Sequence, residues 1–114
     1  MDANEFIGII REIVVNDSVR FLQSNLIKPP GRKPSEKLLA MSTWYNNLND
    51  GDKSVVIQII NKSVEMGVFE FLCVLDGVRA IEGEEKGELK LYYEKGNQKI
   101  LLNDINKVNL HELL

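Results

Sequence analysis

One histidine, one cysteine and seventeen carboxylates carry whatever acid–base or nucleophilic chemistry this chain of 114 residues can perform. His111-Glu112-Leu113-Leu114 imitates the first half of the HExxH zinc motif. The second histidine is missing and no other ligand cluster accompanies it, so His111 is expected to be a tail histidine rather than a metal ligand. Cys73 lies between Leu72 and Val74, in surroundings that make a thiol a small hydrophobe instead of a nucleophile. No serine stands in a nucleophile-elbow context that could recruit His111 as a base. Gly83 and Gly87 flank glutamates, which would repel a phosphate. The paired carboxylates, Asp76 with Glu82 and Glu84 with Glu85, share a polar glycine-bearing segment and read as solvated. No catalytic residue, cofactor or metal ion is expected, and the chain reads as a non-enzyme.

Charge is more informative than chemistry. Glu82, Glu84, Glu85 and Glu88, offset only by Lys86, hold the entire net charge of −3. Lys28, Arg32, Lys33 and Lys37 form a basic segment, but it is short and holds no aromatic residue, which is a poor nucleic-acid signature. Just before the acidic run, Asp76 sits where a helix should end, and the helix dipole disfavours an anion there. Arg79 is its expected partner, with Glu82 on the arginine's other side. Asp76, Arg79, Glu82, Glu84, Glu85 and Glu88 are therefore the candidate partner-binding residues. Trp44 joins them as an aromatic that could anchor an interface; Tyr45 beside it reads as core.

The elements that must position these groups follow from apolar spacing. Residues 3 to 26 are predicted helical. Phe6, Ile10, Ile13 and Val14 mark one face, and Val15, Val19, Leu22 and Leu26 a rotated continuation. The rotation near Asn16-Asp17-Ser18 allows a kink or a break, with one of those residues as a cap. Pro29 to Pro34 is a loop, and Pro34 suits the first turn of the next helix. That helix runs to about Asn47, with Leu38, Met41, Tyr45 and Leu48 on one face. Asn49 or Asp50 caps a long helix that ends at Gly77, a left-handed terminator. Its closing tract, Phe71 to Leu75, has no polar residue and is expected to be fully buried.

A glutamate-rich connection leads to alternating Leu89, Leu91 and Tyr93, and Gly96-Asn97 makes a two-residue hairpin turn. Turning there opposes Glu94 with Lys99, Tyr93 with Ile100 and Leu91 with Leu102, so opposite charges meet and apolar residues share a face. A lone hairpin is marginal in water, so Leu89, Leu91, Tyr93, Ile100 and Leu102 are expected to lie on the helices. Asp104 to Leu114 ends the chain as a short helix or an extended tail. The fold class is α+β, mainly helical, with a C-terminal antiparallel β-hairpin packed on the helices, in one domain spanning residues 1–114.

Apolar residues make up 44% of the chain and charged residues 27%, ordinary for a globular protein. The longest apolar run is far short of the ~20 residues a membrane span needs. Asp2 and Glu5 stand where a secretory leader would carry basic residues, and the single cysteine excludes an intrachain disulfide. A cytoplasmic setting is expected, with neither nucleic acid nor membrane as partner.

Trp44-Tyr45-Asn46-Asn47-Leu48, followed by Phe71-Leu72-Cys73-Val74-Leu75-Asp76-Gly77-Val78-Arg79-Ala80-Ile81-Glu82, resembles a family of small bacterial proteins of the polymorphic-toxin immunity type. The hairpin and Leu101-Leu102-Asn103-Asp104 fit it as well. The resemblance spans roughly residues 29 to 114 and carries no catalytic residues. It implies an immunity-type inhibitor that occludes a cognate toxin, here by docking its acidic segment on a basic cleft. The alternative is a homodimeric regulatory or structural module, paired through Trp44 and the apolar face of the first helix.

Overall fold

The computed structural model describes residues 1–114. It is mainly helical, with a two-stranded antiparallel sheet near the C-terminus, an α+β fold. The first helical stretch has three pieces: α1 (Ala3–Ile9), a π-helical segment (Ile10–Asn16) and α2 (Asp17–Ile27). Next come α3 (Glu36–Asn46), the long α4 (Asp50–Leu75), strands β1 (Tyr92–Lys95) and β2 (Gln98–Leu101), and the single turn α5 (Leu110–Leu113).

The rotation of the apolar stripe in the first helix is a π-segment and not a break. Asp17 donates its backbone N–H to the Glu12 carbonyl, five residues back, and neither Asn16 nor any neighbour caps a new helix. Each wide turn takes up about one residue beyond the usual 3.6. Two ordinary turns from buried Ile7 would reach position 14, but the extra residue makes Val15 the next buried side chain. Ile13 and Val14, expected on the core face, are left exposed. Val19 and Leu26 carry the buried stripe onward through α2.

Pro34 lies just outside α3, because Ser35 takes the cap and accepts from the Leu38 N–H at 3.2 Å. The buried face of α3 is Ser42 and Tyr45, while Met41 is exposed. Ser42 Oγ donates to the Leu26 carbonyl at 2.6 Å, and Asn46 Nδ2 donates to the Ile27 carbonyl at 3.1 Å. Two polar side chains of α3 thus close the carbonyl end of α2.

Asn49 caps α4, accepting from the Asp52 N–H at 2.7 Å. At the other end Gly77 adopts φ +75°, and the Val78 and Gly77 amides bond back to Cys73 and Val74. That is a Schellman termination, which Gly adopts without a Cβ penalty. The 71–75 tract is not wholly interior. Leu72 and Cys73 are buried, Val74 and Leu75 half-buried, and Phe71 is 63% exposed on the opposite side.

The hairpin has the expected register, with Glu94 opposite Lys99 and Tyr93 opposite Ile100. The Leu102 amide bonds to the Leu91 carbonyl at 2.8 Å, extending the pairing by a step. Leu102 is buried and Leu91, Tyr93 and Ile100 half-buried, whereas Leu89 precedes the strand and is exposed. The central apolar cluster is Ile7, Leu72 and Leu110, with Phe6, Val68, Leu75 and Leu91 packed round it. It lies where α1, the end of α4, α5 and the base of the hairpin meet. Only 11 of 114 residues are buried, and the radius of gyration is 18.5 Å. A compact chain of this length would have about 13 Å, so long helical surfaces stand away from any core.

Candidate functional site

Two groups of side chains stand apart at the C-terminal end of α4. The first is a polar pair. Asp76 follows α4 as its C-cap, and its carboxylate is buried. Its partner is His111 and not Arg79: Oδ2 accepts from the His111 backbone N–H at 2.9 Å and lies 2.8 Å from ring Nδ1. The Phe69 ring meets the imidazole edge-on, with centroids 5.6 Å apart. His111 is therefore not a solvated tail residue. Arg79 turns away to Glu70, at 2.7 Å.

A carboxylate-oriented imidazole is the basic half of a hydrolytic triad. His111 borders a groove of about 350 Å³ shared with Arg11, Val15, Lys62, Glu65, Met66 and Phe69. No serine, threonine or cysteine lines it. Arg11 is engaged with the Leu113 carbonyl at 2.9 Å. The pair closes α5 onto α4: it gives the carboxyl group at the negative end of a helix hydrogen-bond partners and holds the last turn of the chain against the central cluster.

Cys73, one turn before Asp76, is buried, and burial pushes its thiol pKa above the ordinary 9.0; the Glu70 and Asp76 carboxylates add to that shift and Arg79 opposes it. A thiol held protonated is a weak nucleophile. No three His, Cys, Asp or Glu side chains converge to hold a metal, and every buried side-chain nitrogen or oxygen has a hydrogen-bond partner.

The second group is a groove of about 510 Å³ between the end of α4, the 79–90 connection and the segment after β2. Asn103 builds it. Its Nδ2 donates to the Leu75 carbonyl at 2.7 Å and the Leu89 carbonyl at 2.8 Å, and its Oδ1 accepts from the Leu91 N–H at 2.8 Å. One side chain thus ties the connection and the hairpin base to α4. The connection is itself folded back, with the Gly87 N–H donating to Glu82 Oε2 at 3.0 Å. Ile81, Leu89 and Ile105 line the groove and all three are exposed, Ile105 by 76%. Glu82, Glu88 and Asp104 share the lining with Arg79, Lys86 and Lys90, and Glu84 and Glu85 are exposed on the same connection.

Of the residues singled out from the sequence, Arg79, Glu82, Glu84, Glu85 and Glu88 thus share one corner. Asp76 borders it, but its carboxylate is buried and engaged by His111. Trp44 is exposed on α3, just before α4 begins, whereas the corner lies beyond the end of α4. A helix of 26 residues spans about 39 Å, so Trp44 and the glutamates lie at opposite ends of it. Asn103, Ile81 and Ile105 were missed as site residues. Two apolar side chains at wide spacing and a single asparagine carry no periodic signal. No helix is long and apolar enough to cross a membrane.

Compared with protein-family models, curated proteins and solved structures, the chain matches none.

Proposed function

We propose that this chain is a non-enzymatic binding protein that docks a basic protein surface on the corner formed by residues 79–90 and 103–106. One observation carries the reading: exposed Ile81, Leu89 and Ile105 are gathered in a groove whose rim sets Glu82, Glu88 and Asp104 against Arg79, Lys86 and Lys90, with exposed Glu84 and Glu85 tipping the balance to acidic. An apolar centre inside a charged rim is the anatomy of an interface, in which the centre supplies affinity and the rim supplies encounter rate and orientation. The specific form we favour is an immunity-type inhibitor. The acidic connection would occlude the basic cleft of a cognate bacterial toxin, such as a nuclease that otherwise receives phosphates.

The test is association kinetics with the protein encoded beside this one. Glu84→Lys with Glu85→Lys should slow association about tenfold at low salt and flatten its salt dependence. An unchanged association rate would remove the acidic corner as the docking surface. The homodimer alternative uses other faces and does not compete for this corner.

A further inference from the structure

The hairpin is a sheet with an open edge on each side, since β1 pairs with β2 and with no third strand. The Leu102 amide bonds to the Leu91 carbonyl, so by antiparallel alternation Leu91, Tyr93 and Lys95 turn their backbone groups toward β2. Tyr92 and Glu94 direct theirs outward. Asn103 carries the alternation back along the chain. Its side chain engages the Leu91 N–H and the Leu89 carbonyl and leaves the backbone of Lys90, between them, unbonded. The outer edge of β1 thus presents the N–H and C=O groups of Lys90, Tyr92 and Glu94, all three exposed residues. An open strand edge is a template for another strand.

We propose that a second copy of this chain takes that edge, with β1 pairing antiparallel to its counterpart about a two-fold axis at Tyr92 and the two hairpins forming one four-stranded sheet. Charge complementarity selects the occupant, because an isologous contact must match itself. With the axis at Tyr92, Lys90 of each copy lies opposite Glu94 of the other, so both exposed charges meet an opposite one. On the other face Leu91 meets Tyr93 of the other copy. Joined to the pairs already present, Tyr93 with Ile100 and Leu91 with Leu102, this makes an unbroken apolar row across all four strands, twice over. Tyr92 meets Tyr92, each beside its own Leu101. At the ends Leu89 meets Lys95, whose aliphatic stem covers it.

The neighbouring registers lose this match. An axis at Leu91 sets Glu88 against Glu94 of the other copy and Lys90 against Tyr92. An axis at Tyr93 sets Lys90 against Gly96 and Glu94 against Tyr92. A lysine on an exposed edge ordinarily keeps other strands away; Glu94, four residues further along the same edge, converts it into a pairing group. A two-stranded hairpin is marginal in water, and a sheet of more strands with an apolar face is not. The contact involves this chain alone and stands whether or not the acidic corner binds a toxin.

Sedimentation equilibrium of the full chain, carried to high micromolar concentration, should give twice the chain mass of 13.0 kDa. Lys90→Glu or Glu94→Lys alone sets like charges against each other at both ends of the contact and should weaken the dimer about tenfold. Mixed together, the two variants restore opposite charges at both ends and should recover it as a heterodimer. Both positions are exposed, so neither substitution should move the unfolding midpoint. Amide exchange of the wild-type chain reads the edge without any variant. The amides of Lys90, Tyr92 and Glu94 lack an acceptor in the single chain and should slow about tenfold or more as concentration rises into the dimer range. A chain that keeps single mass at every concentration overturns the proposal. So does a dimer in which those three amides stay fast, one indifferent to both charge reversals, or a mixture of the two variants that stays as weak as either alone.

Discussion

Asp76 Oδ2 meets one residue twice, His111, which lies 35 positions further along the chain: it accepts from the backbone N–H at 2.9 Å and lies 2.8 Å from ring Nδ1. That relationship fastens α5 to the end of α4. It also removes Asp76 from the surface on which its neighbouring glutamates stand. Asp76→Ala leaves the His111 N–H and Nδ1 without their partner. We expect a loss of about 2–4 kcal/mol in urea denaturation. Removing an anion from a helix C-terminus returns less than about 1 kcal/mol, so the lost bonds decide the sign. Asp76→Asn keeps one acceptor and should cost less than Asp76→Ala.

Asn103 makes three hydrogen bonds to backbone groups of Leu75, Leu89 and Leu91. Asn103→Ala should cost about 2 kcal/mol. The loss should be local: amide exchange should accelerate in residues 78–91 and in the hairpin before it does so in α1. Uniform acceleration across the chain would contradict the role assigned to this side chain.

The π-segment gives a paired prediction. Val15 is 1% exposed and its neighbour Val14 is not buried. Val15→Ala should cost about 2 kcal/mol, and Val14→Ala should stay within about 0.5 kcal/mol. Equal costs would mean that the wide turns do not set the register of α2.

For Cys73 the sign follows from its raised pKa. Below the unfolded thiol's ordinary value both states are protonated and the group contributes no pH dependence. Above it the unfolded thiol releases its proton while the folded one retains it. Stability is therefore lost as pH rises from that value toward the folded pKa. Cys73→Ala should remove this alkaline component of the denaturation profile. At neutral pH a thiol reagent should label the native protein slowly and the urea-unfolded chain at the rate of a free cysteine.

Ile105 is the most exposed large apolar residue of the groove. Ile105→Asp should leave the unfolding midpoint nearly unchanged, because the side chain is 76% exposed. It should weaken binding of a cognate protein tenfold or more if the groove is the interface centre. Loss of stability without loss of binding would assign Ile105 to the fold instead.

Wherever an element announces itself by local spacing or by an obligatory cap, the sequence sufficed. Asn49 and Gly77 bound α4, and Gly96-Asn97 sets a hairpin whose cross-strand pairs then follow from charge and apolar matching. The acidic run from Glu82 to Glu88 was equally legible, because charge needs no partner to be counted. What the sequence could not decide was which apolar face meets which. A π-turn adds a residue without any compositional mark, so Val15 and not Val14 faces inward. Phe71 and Leu72 are equally apolar, and only the packing of α1 and α5 buries one and leaves the other in water. The polar pairings were decided the same way. Asp76 could choose Arg79 by proximity in sequence, but the fold brings His111 to it and gives Arg79 to Glu70. Local interactions act over a few residues and are written in their order. Long-range contacts depend on where several helices converge, and that is a property of the tertiary structure alone.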